Sequence, residues 1–272
     1  MTKLIIYCTS IKYYKILDKL PKYIQPLGLG CNIFPLNWSN DSNEINISYL
    51  NKYYGEMTGI YWIWKNKLRN FSDTDWIGNC HYRKWWLNGL YVKKNKFTFN
   101  SLYSKLLSIN NSIFKESEAI QVQPTILNRE TLREQFENVH GKNHVINECV
   151  KLLDFKNRKK FDEYLNQNNF SQLNMFITRK YFFNRYCEEI FPWLEKCLKF
   201  LLNNKLCTGY NVRLPAFLAE RFTSYWFYTN TKVNYLSYGR IGNFMLSNKI
   251  NSLFNPAKLP FTFRMYPTIH DY

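Results

Sequence analysis

No stretch of the 272 residues approaches the ~18 consecutive apolar positions that a membrane-spanning helix requires, so no span is expected. The opening MTKLIIYCTS carries too short an apolar run for a secretory signal and lacks a small-residue cleavage site. No C-x-x-C pair occurs, and the cysteines (Cys8, Cys31, Cys80, Cys149, Cys187, Cys197 and Cys207) number seven, an odd count. This argues against a zinc knuckle or a disulfide frame and for reduced thiols in a cytoplasmic protein. The glycine-rich dinucleotide turn, the P-loop, H-E-x-x-H and G-x-S-x-G are all missing, which removes the usual signatures of nucleotide-cofactor, NTPase, metalloprotease and serine-hydrolase chemistry. Acidic residues are also scarce: 20 Asp and Glu stand against 37 Lys and Arg, a formal charge of +17. A field of that sign draws polyanions, namely nucleic acid, anionic lipid headgroups or the diphosphate of an activated sugar.

What remains is ordinary for a packed chain, with 46% hydrophobic and 21% charged residues. The length suits one α/β domain, 1–272, with a first half near 1–125 and a second near 126–272. Aromatics reach 18%. Tyr and Trp suit sugar-stacking clefts, but Lys, Asn, Ile, Tyr and Phe also have A- and T-rich codons, so composition alone decides nothing. Residues 3–9 read as a buried opening strand, 11–20 as a helix stopped by Pro21, and 28–52 as loop. Residues 55–69 read as an amphipathic helix, 76–80 and 118–123 as strands, and 129–167 as a helical excursion. A strand near 173–180 leads into a long helix, a second helix covers 214–228 with Pro215 in its first turn, and 232–237 ends the pattern as a strand. Strands alternating with helices predict a central, mostly parallel sheet flanked by helices, with ligands beyond the C-terminal strand ends.

Three clusters carry candidate chemistry. In E-M-T-G-I-Y-W-I-W-K-N, from Glu56 to Asn66, the apolar positions are expected to pack, and Glu56 and Lys65 carry the signs that a helix dipole favours at its two ends. In G-N-C-H-Y-R-K, from Gly78 to Lys84, His81, Tyr82, Arg83 and Lys84 crowd one strand end. Burying them without partners is costly, and a guanidinium fork with a nearby ammonium matches a diphosphate. A structural ion-pair knot is the competing explanation. In R-L-P-A-F-L-A-E-R, neighbouring Glu220 and Arg221 project about 100° apart on a helix, so one can enter a cleft while the other braces it. Glu220 is the candidate general base, and an exposed pair is the alternative. Asp73-Thr74-Asp75 resembles a metal-holding D-x-D but stands at the start of its strand rather than the end, and is read as a decoy.

Together these clusters resemble the bacterial family catalogued as domain of unknown function 4422, found in capsule, exopolysaccharide and O-antigen gene clusters. Its N-I-S-x-x-N loop and E-L-T-x-x-Y-W-x-W-K-N helix are matched by Asn46-Ile47-Ser48, Asn51 and Glu56 to Asn66. Its G-x-x-H-Y-R-R strand end is matched by Gly78, His81, Tyr82, Arg83 and Lys84. Its N-M-F-I strand and F-x-x-Y-C helix are matched by Asn174 to Ile177 and by Phe183, Tyr186 and Cys187. Its G-F-x-A-E-R helix is matched by Phe217, Ala219, Glu220 and Arg221, with Ala216 in place of the glycine. The family tends to place an Asp after a His where this chain reads H-G-K-N-H-V-I-N, so no role is assigned to His140 or His144.

The resemblance implies a single GT-A-like nucleotide-sugar-binding domain and a hexosyltransferase, with galactofuranosyl transfer from UDP-galactofuranose as the suggested reaction. On that footing His81, Arg83 and Lys84 are expected to replace a metal as counter-charge for the leaving diphosphate. No cofactor is then required, though Mn²⁺ or Mg²⁺ stays open. Thr9, Asn46, Ser48, Asn51, Glu56, Tyr82, Lys84 and Arg221 are expected on the donor side, and Asn174, Met175 and Arg213 on the side of an oligosaccharide or lipid-linked glycan acceptor. The aromatic, basic segment with Phe261, Phe263, Arg264 and Tyr266 is a candidate for peripheral contact with the inner membrane face, with packing against the core as the equal alternative. Two other readings compete: a non-catalytic scaffold for polysaccharide assembly, and a single-strand nucleic-acid binder, against which the basic residues form no single stripe.

Overall fold

The computed structural model describes residues 2–89, 96–97, 99–141 and 144–241. The expected membrane contact at 261–266 lies outside them. The strands are β1 (Leu4–Ser10), β2 (Ile24–Gly28), β3 (Ser39–Asn40), β4 (Trp76–His81), β5 (Lys84–Trp86), β6 (Lys96–Phe97), β7 (Ala119–Val122), β8 (Thr125–Ile126), β9 (Asn169–Phe170), β10 (Phe176–Arg179), β11 (Val233–Leu236) and β12 (Tyr238–Ile241). The helices are α1 (Asn51–Tyr54), α2 (Met57–Trp62), α3 (Phe99–Tyr103), α4 (Ile113–Glu116), α5 (Leu132–His140), α6 (Val145–Lys151), α7 (Phe155–Tyr164), α8 (Lys180–Asn203) and α9 (Leu214–Asn230).

β1 is buried along its whole length because it is central. It runs parallel to β2 on one side and β4 on the other. Its residues alternate between two cores: Ile5 and Tyr7 join the helices α2 and α5 to α9, whereas Leu4, Ile6 and Cys8 join Trp38, Trp85, Trp86 and Phe114. A strand buried on both faces reads as a continuous apolar run, as Leu4–Cys8 does. The main sheet has the order β11-β7-β10-β4-β1-β2-β3, and only β10 runs against its neighbours. β10 comes from the second half of the chain yet sits between β4 and β7 of the first, so both halves share one sheet. The architecture is therefore α/β, with a central, mostly parallel sheet flanked by helices.

Two local readings are revised. The expected helix at 11–20 is a single helical turn at Lys15–Lys19, since β1 runs on to Ser10 and Pro21 leaves too few residues to offset helix nucleation. Part of the loop expected at 28–52 is sheet, since Gly28 ends β2 and Ser39–Asn40 form β3. The rest of β2 gives no strand signal in the sequence, because Pro26 masks it, and that proline is tolerated where β3 covers only Leu27 and Gly28. The helical excursion forms as α5, α6 and α7, the first held by a reciprocal Thr131–Glu134 capping box. α9 is buried continuously from Leu214 to Phe227. Such a helix belongs to an interior, and a Glu-Arg pair within it is not on a solvated face.

After His81 the chain turns within two residues into β5, where Lys84 pairs with His81 in the ladder. β5 then pairs with β12, setting Arg240 opposite Lys84. This small arm brings a second set of cations over the C-terminal end of β4. β4 and β10 approach closely at Gly78, where an added Cβ would lie 2.5 Å from the Phe176 carbonyl oxygen and 2.6 Å from Ile177 Cγ1. Gly78→Ala is expected to cost about 1–3 kcal/mol through forced strand separation, measured by urea denaturation. An unchanged midpoint would mean that the two strands are not so closely apposed.

Candidate active site

β10 runs antiparallel to β4, so its N-terminal end meets the C-terminal ends of β1 and β4. The residues just before it, Leu173 and Asn174, take φ values of +86° and +48°. Asn tolerates this left-handed region better than most residues, and Leu does so at a cost. The turn is held by Asn79 of β4, whose amide donates to the Asn174 carbonyl at 2.8 Å and accepts from Phe176 N at 3.1 Å. The Asn174 amide is thereby aimed at Glu56: Nδ2 donates to Glu56 Oε1 at 2.8 Å and to the Ala216 carbonyl at 3.3 Å. Its Oδ1 accepts from Thr223 of α9 at 3.2 Å. Glu56 Oε2 faces Arg213 Nη2 at 3.3 Å. Gly55, at φ +53°, leaves the space that this guanidinium fills, because a Cβ there would run into it.

Burial pushes the Glu56 carboxyl up, but His81 where acid protonates it, then Arg213 and the Asn174 amide, outweigh it and hold the group below its ordinary range. Burial together with Lys84, Arg213 and Arg83 drives His81 down to about 4 despite the nearby Glu56. His81 is therefore neutral near pH 7, and its Nε2 is buried without a hydrogen-bond partner. Desolvation thus works against its expected role as a counter-charge, and a neutral imidazole stands beside Glu56, Lys84 and Arg213.

Lys84 is pushed down to about 7 by burial and by Arg240 and Arg83, partly offset by Glu220 and Glu56. The Glu220 carboxyl moves the other way from Glu56. Burial raises it, with the Glu56 charge adding to the shift and Arg221, Lys84 and Arg213 opposing it. Glu56, His81, Lys84, Arg213 and Glu220 thus sense one another's charge, with Arg83 and Arg240 at the edge. Among the described residues, two carboxylates meet four basic side chains, Arg83, Lys84, Arg213 and Arg240.

Other expected site residues lie elsewhere or serve the frame. Arg221 is fully buried; its guanidinium lies over the Phe136 and Phe170 rings at 5.1 and 4.9 Å and bonds to Gln135 and to the Phe217 carbonyl. It braces Glu220 at 3.5 Å but offers no surface to a donor, which corrects its expected donor contact. Met175, 1% exposed, is core and not an acceptor contact. The Asn46 side chain accepts from Ser48 N and Oγ and donates to Ser42 and Glu44 carbonyls, so this pair folds its own loop. Asn51 donates to Thr58 and to the Gly55 carbonyl, which fixes the backbone entering Glu56. Thr9, next to last in β1, donates to the Cys80 carbonyl at 3.1 Å. Tyr82 stacks on Tyr14 at 5.0 Å, and the Arg83 guanidinium lies over its ring at 4.8 Å.

Asp75 caps the start of β4, accepting from Lys3 N and Ser72 N, and Asp73 is 86% exposed; this D-x-D stands at the far end of the sheet from Glu56. Among the described residues no three His, Cys, Asp or Glu side chains assemble as a metal-holding group. His140 is buried, stacked on Phe217 and Tyr210, and its Nδ1 is 3.2 Å from Asn211 Oδ1, which anchors the turn bearing Arg213. His144 is exposed beside Glu137.

Three contributors escaped the sequence reading. Asp41 is buried, pushed up by burial against the bonds from Thr58 and Gly30 N, and ties the loop after β2 to α2. Asn79 is one Asn among many in this chain. Arg240 reaches the site only through the β5–β12 pairing, which no spacing rule reveals.

Stability should report the Glu56 arrangement. A carboxyl held below its unfolded value stabilises the fold above the ordinary pKa of 4.5, and that stability is lost as pH falls through the folded value. Glu56→Gln is accordingly expected to flatten the acid limb of the stability–pH curve, followed by urea midpoints from neutral pH downward. An acid limb as steep as that of the wild type would show that Glu56 is not held below its ordinary value.

The family model described as domain of unknown function (DUF4422) matches residues 5–231. No curated protein matches the chain. Among solved structures, the fold is similar to that of a WbbM bifunctional glycosyltransferase in its apo form, with a TM-score of 0.70 and 17% identity. The likeness covers 89% of this chain and 46% of the other, so this chain spans about half the length of the one it matches.

Proposed function

The chain belongs to the DUF4422 family, and from that premise we propose that it is a glycosyltransferase, moving a sugar from a nucleotide diphosphate donor to a glycan hydroxyl. The observation that carries this reading is the gathering of Arg83, Lys84, Arg213 and Arg240 with two carboxylates of opposite pKa tendency, at the end of the sheet where α/β folds take ligands. The donor class proposed is a UDP-hexose, UDP-galactofuranose first. The acceptor proposed is a growing capsular or lipopolysaccharide glycan, carried on lipid at the cytoplasmic face of the membrane. The shared fold with a known glycosyltransferase supports the class of reaction and leaves the sugar to experiment.

In this mechanism Glu220 takes the proton of the acceptor hydroxyl. Its raised pKa makes it a stronger base than an exposed carboxylate. The acceptor oxygen bonds to the anomeric carbon as the bond from that carbon to the diphosphate oxygen breaks. The electron pair leaves with the nucleoside diphosphate. Arg83, Lys84 and Arg213 face the charge that develops there, where fixed cations in a desolvated site contribute most. Glu56, clamped by Asn174 and Arg213, holds Arg213 in place, and neutral His81 offers a hydrogen bond rather than a charge. We propose that this counter-charge makes a divalent metal dispensable.

Glu220→Gln is expected to lower kcat by about 10²-fold or more with little change in KM for the donor, measured by release of UDP in the presence of acceptor. Near-normal turnover would remove Glu220 from the base position. Lys84 gives a second test. It is largely charged below about pH 7 and largely neutral above, and a bound diphosphate favours the charged form. Affinity for a UDP-sugar should thus fall as pH rises above 7, and Lys84→Met should abolish that dependence, both read by titration calorimetry. A pH-independent affinity in the wild type would place Lys84 away from the diphosphate.

A further inference from the structure

The two loops that leave the C-terminal ends of β1 and β2 meet in a patch outside the cluster just described. Ile33 is 96% and Leu36 106% exposed, and Ile11 and Tyr13 are 44% and 42% exposed beside them. Two fully exposed aliphatic side chains three residues apart are not explained by folding, which would bury them. They are presented on a built platform. Phe34 stacks on Trp38 at 5.7 Å, and Tyr13 meets Trp38 edge-on at 5.4 Å. Asp18 accepts from both Trp38 Nε1 at 2.8 Å and the Tyr13 hydroxyl at 2.7 Å. Gly28 lets the Phe34 ring lie directly against the end of β2.

Basic residues border the platform: Lys12 and Lys15, both exposed, flank Tyr13 in the segment after β1, and the nearby Asp18 carboxylate is taken up by Tyr13 and Trp38. Exposed aliphatics at a loop apex, Tyr and Trp just behind them and lysines around them form the pattern of a bilayer-interface contact: the apolar tips enter the acyl boundary and the lysines face anionic headgroups. A protein partner fits less well, because lysine is depleted at protein–protein interfaces.

We propose that this face, Ile33 and Leu36 with Ile11, Tyr13, Lys12 and Lys15, docks the protein on an anionic phospholipid bilayer. β1, β2 and β4 are parallel, so the patch and the Glu56–Glu220 cluster lie at the same end of the sheet. Docking by this end faces the cluster toward a membrane-borne acceptor, and this consequence rests on the glycosyltransferase reading. The bilayer contact itself does not.

The test is flotation of the full chain with vesicles of phosphatidylcholine alone and of phosphatidylcholine mixed with phosphatidylglycerol. Circular dichroism and sedimentation velocity on each variant check folding and association. The wild type should float with the anionic vesicles and not with the neutral ones. Ile33→Asp/Leu36→Asp should lower the bound-to-free ratio by about tenfold or more, consistent with loss of two apolar insertions. Lys12→Glu/Lys15→Glu should lower it at low salt, and the remaining binding should be less salt-sensitive. All these positions are exposed, so the variants should stay folded; a misfolded aspartate pair would be replaced by Ile33→Ser/Leu36→Ser with the same expected direction. Floating unaffected by the apolar substitutions, or no floating of the wild type, overturns the proposal. So does a wild-type dimer that the aspartate pair dissociates, which would assign the face to a second copy of the chain. Vesicle binding that depends on these residues in a chain showing no sugar transfer would keep the docking face and remove the enzymatic reading.

Discussion

The hydrogen bond from the buried Asn174 amide to Glu56 is the contact on which the arrangement of the site depends. It joins elements 118 residues apart in sequence. Through its other atoms Asn174 also holds α9 at Ala216 and Thr223 and β4 at Asn79. To do so the chain takes two successive left-handed residues, a conformation that costs of order 1–3 kcal/mol at a residue such as Leu173. Strain of that kind persists only where the surroundings over-determine it, and here four polar contacts do so. The antiparallel insertion of β10 follows the same need, because it delivers Asn174 to the C-terminal ends of β1 and β4.

Around that contact, burial and charge sort the ionisable groups into different states. Glu56 is clamped and ionised, Glu220 is raised by desolvation, Lys84 sits near its midpoint at neutral pH, and His81 is stripped of charge. Such divergence among neighbours of one type separates a base from a structural anion. It also gathers Arg83, Lys84 and Arg213 at the sheet end where the diphosphate is proposed to lie. Arg221 shows the opposite outcome: its guanidinium lies over two aromatic rings and bonds to Gln135 and the Phe217 carbonyl, and it braces α9 beside Glu220.

Much of this was legible beforehand, and the limits have physical causes. The run Leu4–Cys8, the long helix ending at Asn203 and the three charged clusters follow from apolar periodicity and from the cost of burying charge. Glu56, His81, Lys84, Asn174, Arg213 and Glu220 were all selected from the sequence, and the fold brings them together. Direction and depth were not legible. Nothing local tells Glu220 from Arg221, because which of two neighbours faces the site depends on how α9 rolls against Phe136 and Phe170. His81 reads as a cation until its burial is known. Asp41 and Asn79 look like any polar residue of an Asn-rich chain, and Arg240 is recruited by strand pairing across more than 150 positions. Asn46 and Ser48 match a family motif, yet their hydrogen bonds close their own loop, so a shared motif there reflects folding as readily as binding.

The central claim is that this cationic, carboxylate-bearing cluster receives the diphosphate of a nucleotide sugar. It is tested most directly by the melting temperature of the protein with UDP, UDP-galactose, UDP-galactofuranose and the GDP and CDP counterparts, in the presence and absence of EDTA. Ligands that bind only the folded form raise that temperature with occupancy. The account predicts a rise with uridine compounds that survives EDTA and is lost in Lys84→Met/Arg213→Met. No rise with any nucleotide, or one that vanishes with EDTA and returns with Mn²⁺, would contradict it.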